Sequence, residues 1–93
     1  MNSKKEEKVK VTWERVLAAH ETITRKHEEI RLANQAIVRA EDALAHAGLT
    51  AAALANLLSA CKSSLQRQVE LDLLRLELQE AINAHGAAII ARG

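Results

Sequence analysis

The chain has no proline, no phenylalanine and no tyrosine, and its 93 residues include one tryptophan, one cysteine and three glycines. With Gly48, Gly86 and Gly93 as its only glycines and Trp13 as its only aromatic, it lacks the strand formers and turn punctuation that many short strands require. An all-β or α/β fold is thereby excluded and an all-α protein expected. The lone Cys61 has no intrachain partner, which excludes a disulfide scaffold and fits a reducing compartment. Nowhere do eighteen apolar residues follow one another, and the opening MNSKKEEKVKV holds no apolar run of signal-peptide length. A cytoplasmic protein with no membrane partner is the expectation.

Charge of one sign is scarce as well. Thirteen Lys and Arg against twelve Asp and Glu leave a net charge of +1, without the basic surplus usual in binders of bare duplex nucleic acid. The apolar content is 48 %, but eighteen of those residues are alanine. At this length the chain makes one domain.

What is present is periodicity. Val9, Val16, Ile23, Ile30, Ile37 and Leu44 stand in one seven-residue column, and Thr12, Ala19, Lys26, Ala33, Ala40 and Ala47 follow three residues behind. Such a seam is built for close helix pairing. The expected organisation is a single helical hairpin over residues 1–93. It comprises a polar N-terminal segment (1–8) in which Asn2 or Ser3 caps, helix one (9–47), a turn (48–50), helix two (51–84) and a short apolar tail (85–93). Gly48 supplies the left-handed C-cap, Thr50 the next N-cap, and His85-Gly86 a second stop. So short a connection makes the helices antiparallel and sets residue i near 98 minus i: Leu44 by Leu54, Ile37 by Cys61, Val16 by Ile82, Trp13 by His85.

Helix two carries two apolar stripes. Leu57, Cys61, Leu71, Leu74, Leu78 and Ile82 form one; Leu54, Leu58, Leu65, Val69, Leu73 and Leu76 form the other. One partner helix cannot cover both, and half-buried leucines leave a solitary hairpin marginal. The expectation is a homodimer of hairpins forming a coiled-coil-like four-helix bundle. Its role is that of a non-enzymatic, chaperone-like or adaptor module that binds protein through Leu58, Leu65, Val69, Leu71, Leu73, Leu74, Leu76, Leu78 and Ile82. Which stripe faces helix one the sequence leaves open.

No motif implies a cofactor, a metal or catalysis. His20 and His27 lie seven apart, about 10 Å along a helix and too far for one ion, whose helical ligand pairs sit three or four apart. With Asn34 and Glu41 they are expected to form a polar flank that fixes register, and their protonation would make the bundle pH-sensitive. Cys61 reads as a small buried residue. Arg15, Arg25, Lys26, Arg31 and Arg39 are interleaved with Glu14, Glu21, Glu28 and Glu29, as on a solvated, ion-paired face.

A competing function enters through residues 48–67. Gly48-Leu49-Thr50, followed by Leu54-Ala55 and Leu58-Ser59, resembles the GLTxxxLAxxLG stretch that opens the helix-turn-helix of phage-repressor-like regulators. That resemblance implies a nucleic-acid-binding regulator with Lys62, Ser63, Gln66 and Arg67 on a recognition helix; the basic side of helix one is a second route to the same function. The sequence has Ser59 where that pattern has glycine. The hairpin as a whole is similar in arrangement to two kinds of small bacterial protein. They are the plasmid copy-number regulators that form four-helix bundles, and the short helical chaperones of secretion needles.

Overall fold

The computed structural model describes residues 3–93. They form two α-helices, α1 (Ser3–Ala47) and α2 (Ala51–Arg92), and no strand occurs among the described residues. The proposed Asn2 cap lies outside them. Between the helices, Gly48 adopts φ +83° and its N–H donates to the Leu44 carbonyl at 3.0 Å, the single-bond left-handed C-cap. Thr50 then caps α2, its Oγ1 accepting from the Ala53 N–H at 3.1 Å.

α2 does not stop at His85-Gly86. It runs on to Arg92, through a Gly86 that has ordinary helical geometry. A single helical glycine costs about 1 kcal/mol, and here it is followed by Ala-Ala-Ile-Ile-Ala, with Ala88 buried. Residues 85–92 are therefore a last pair of turns rather than a tail. The two glycines make a matched prediction. Gly48→Ala is strained by its left-handed backbone, so denaturant unfolding should show a loss of about 1–2 kcal/mol. Gly86→Ala meets nothing within 4 Å of the new methyl and should gain up to about 1 kcal/mol.

The helices form two compact units. The turn unit, Arg25–Leu71, is an antiparallel hairpin closed by residues 48–50. Its contact face takes Lys26, Ile30, Ala33, Ile37, Ala40 and Leu44 from α1, all buried or half-buried, against Leu57, Ala60, Ser64, Arg67 and Leu71 from α2. The terminal unit pairs Met1–Thr24 with Asp72–Gly93. Val9, Thr12, Val16, Ala19 and Ile23 turn inward there, against Leu74, Leu78, Ala81, His85 and Ala88. The α1 residues are those of the two heptad columns. Register holds close to expectation: Asn34 meets Ser64, Trp13 meets His85 and Arg92 meets Glu6.

Candidate functional site

In the turn unit the contact face is interrupted by two polar groups. Ser64, 3 % exposed, donates from Oγ to Asn34 Oδ1 at 2.8 Å and accepts from Gln68 Nε2 at 3.1 Å. Lys26, whose column is otherwise apolar or small, donates from Nζ to Glu70 at 2.6 Å and lies 2.8 Å from Glu29, with Arg67 Nη1 3.9 Å from Glu29. Every fully buried side-chain polar atom among the described residues has a partner, so the interruptions fix register without orphaned groups.

These contacts shift ionisation. The hydrogen bond from Lys26 holds Glu29 below its ordinary 4.5, with the Lys26, Arg67 and Arg25 charges adding to it. The hydrogen bonds to Glu29 and Glu70 raise Lys26 above 10.5 against the cost of desolvation. A depressed carboxylate stabilises the fold above its unfolded value, and that contribution is lost as pH falls through the folded one. A raised amine stabilises below its unfolded value and loses that as pH rises through the folded one. The contribution of this cluster should therefore be flat between about pH 5 and 10 and decline on either side. Lys26→Met should erase the alkaline decline and weaken the acid one in thermal melts.

In the terminal unit, Thr12 Oγ1 lies 2.9 Å from His85 Nδ1 and donates to the Lys8 carbonyl at 2.8 Å. The Trp13 and His85 rings stand 5.4 Å apart at 40°. Two open grooves follow from small residues on α1. One, of about 460 Å³, lies in the terminal unit between Ala18, Ala19, Thr22 and Arg15 on α1 and Leu74, Glu77 and Glu80 on α2. The other, about 290 Å³, lies in the turn unit beside Ala33, Ala36 and Ser63. No group of three or more His, Cys, Asp or Glu placed to hold a metal occurs among the described residues.

The structure separates the two stripes of α2. Leu57, Leu71, Leu74 and Leu78 turn toward α1, with Leu71 only 6 % exposed. As a surface for another molecule, Leu71 is therefore withdrawn, because its own chain already covers it. In the turn unit the other stripe is open: Leu58 is 70 % exposed, Leu65 63 % and Val69 53 %, with Leu54 beside them. In the terminal unit Leu73 and Leu76 are likewise exposed. Two residues depart from the expected inner stripe. Cys61 is exposed, one turn from Leu58 and Leu65, and Ile82 is 46 % exposed while Ala81 takes the contact position. The seam of α2 follows residues 57, 60, 64, 67, 71, 74, 78, 81, 85 and 88, a strict heptad that passes beside both.

The remaining expected site residues fall as follows. Asn34 joins the Ser64 contact, whereas His20, His27 and Glu41 are exposed and make no part of the seam. The segment resembling a helix-turn-helix contains no turn, since α2 passes straight through Ser59. Without glycine at that position nothing breaks the helix, so Lys62, Ser63, Gln66 and Arg67 lie on the same helix as Leu54 instead of on a separate recognition helix. Lys62 and Gln66 are exposed, Ser63 borders the smaller groove, and Arg67 turns toward Glu29. On α1, Arg31 pairs with Glu28 three residues away. No described helix is long and apolar enough to cross a membrane. In comparison with known proteins, no family model matches the chain, and no curated protein and no solved structure is significantly similar to it.

Proposed function

We propose that the protein is a non-enzymatic protein-interaction module of the cytoplasm that works as a homodimer, two helical hairpins associating into a four-helix bundle. The observation that carries this reading is the open row Leu54, Leu58, Leu65 and Val69, on the side of α2 turned away from the contact with α1. Scattered exposed leucines are ordinary, but a contiguous apolar row of this kind marks an association surface. α1 supplies the contrast. Its outermost positions in the same unit, Glu28, Arg31, Gln35, Arg39 and Asp42, are polar and exposed, and its large exposed apolar residues there, Leu32 and Val38, stand six residues apart on separate flanks and form no row.

Burial of a second apolar stripe also answers the energetic need. Ordering each residue costs about 1.5 kcal/mol, and a single contact face of mostly half-buried aliphatic side chains interspersed with alanine returns little against it. Association adds the missing area. Once assembled, the bundle has Leu73, Leu76 and the exposed Ile90 with which to hold a further protein. Because dimerisation stabilises the folded state by mass action, the melting temperature should rise steadily with protein concentration. A melting temperature that does not move with concentration would show a folded monomer and end the proposal.

A further inference from the structure

Thr12 and His85 meet in the terminal unit on a seam that is otherwise apolar: Val9 and Val16 flank Thr12 on α1, and Ala81 and Ala88 flank His85 on α2. Thr12 is only 8 % exposed, so water competes little for its hydroxyl. Three polar atoms crowd Thr12 Oγ1. The Lys8 carbonyl oxygen lies at 2.8 Å, the Val9 carbonyl oxygen at 3.0 Å and His85 Nδ1 at 2.9 Å.

A hydroxyl carries one proton and two lone pairs, and a carbonyl oxygen brings no proton at all. If Thr12 gave its proton to His85 Nδ1, both carbonyl oxygens would face Oγ1 at hydrogen-bond distance with no hydrogen between, a repulsive arrangement. With the proton given to the Lys8 carbonyl, the bond a helical threonine makes one turn back, Oγ1 becomes an acceptor toward the second helix. His85 Nδ1 must then be the donor. A neutral imidazole protonated on Nδ1 leaves Nε2 bare, and a further proton goes there.

We infer that His85 is a clasp that holds α1 in both of its charge states: Nδ1–H donates to Thr12 Oγ1 throughout, and acid adds a proton at Nε2 without opening the terminal unit. The other tautomer would make the opposite device, a switch that lets go of Thr12 when the ring becomes charged. Histidine as a residue type changes charge between about pH 5 and 8, so the position of one proton decides whether this contact survives that range.

The surroundings accept the charged ring. Trp13 stands 5.4 Å away, centroid to centroid, within the distance at which an indole attracts a cation. No charged residue of α2 lies within four positions of His85, and the charged residues of α1 within four positions of Thr12 (Lys8, Lys10, Glu14 and Arg15) are all exposed and off the seam. The next along α2, Glu80 and Arg92, are exposed as well, and Arg92 lies 3.6 Å from Glu6.

Long-range 15N NMR of the imidazoles in the unaltered full chain tests the assignment. Contacts to the Trp13 ring identify His85 among the four histidines. Neutral His85 should show a protonated Nδ1 and a bare Nε2. On acidification Nε2 should take the proton while the amides of residues 9–16 and 81–88 keep their protection from hydrogen exchange. Neutral His85 protonated on Nε2, or an even mixture of the two forms, would overturn the inference. So would exchange in those segments that accelerates as His85 becomes charged, by about two- to tenfold beyond its intrinsic pH dependence, the equivalent of one lost hydrogen bond. Thr12→Ser should keep the Nδ1–H form and Thr12→Val should lose it; its retention in a folded Thr12→Val variant would also contradict the assignment.

Discussion

If the proposed homodimer forms, Leu58→Glu together with Leu65→Glu should convert it to a monomer, halving the mass seen by light scattering and lowering the melting temperature. Within their own hairpin both side chains face water, where such substitutions usually change stability by no more than about 0.5 kcal/mol. In a dimer the same carboxylates enter an apolar contact, and an unpaired charge there costs several kcal/mol. The size of the effect therefore reports the presence of the second copy. A paired control, Gln35→Glu with Arg39→Glu on the polar outer side of α1, should leave the mass unchanged.

The second large effect belongs to the seam within the chain. Leu71→Ala removes the most buried leucine of α2 and should destabilise by about 2–5 kcal/mol in denaturant unfolding, the usual range for a core leucine. Leu71→Glu should leave the protein largely unfolded at room temperature, since a small domain has only about 5–15 kcal/mol in hand and an unpaired buried carboxylate removes much of it. The contrast with Leu65 is the informative part. Leu65→Ala should cost stability only at protein concentrations where the two copies associate and lose its effect on dilution, whereas Leu71→Ala should cost stability at every concentration.

How these two leucines came to be told apart bears on what a sequence discloses. The α1 columns were legible because every member of the Val9 to Leu44 column is aliphatic, and the structure turns that column inward without exception. α2 was harder because size and position disagree. Its true seam contains Ser64, Arg67 and His85 along with Ala60, Ala81 and Ala88, so an eye drawn to large apolar side chains moves to Cys61 and Ile82, which lie beside the seam. A strict seven-residue count from Leu57 would have reached Ser64, Leu71, Leu78 and His85. The polar members gave no apolar signal, yet they are where the cross-helix bonds occur: Ser64 to Asn34, Thr12 to His85, Lys26 to Glu70.

The turn was legible for a different reason. Gly48 and Thr50 act through local backbone chemistry that no tertiary contact has to override. Gly86 shows the opposite case, a stop signal overridden by buried Ala88 and the alanine-rich turns beyond it. The helix-turn-helix resemblance failed on similar grounds. Its leucines are those of any capped amphipathic helix, and only a breaker at Ser59 could have made two helices of one.

Sedimentation equilibrium on the unaltered chain, from micromolar to millimolar concentration, puts the central proposition to its plainest trial. Twice the 10.2 kDa chain mass, with dissociation on dilution, is the expected outcome. A single chain mass throughout, with full helicity retained, would mean that the bare side of the second helix is stable in water and that no second copy covers it.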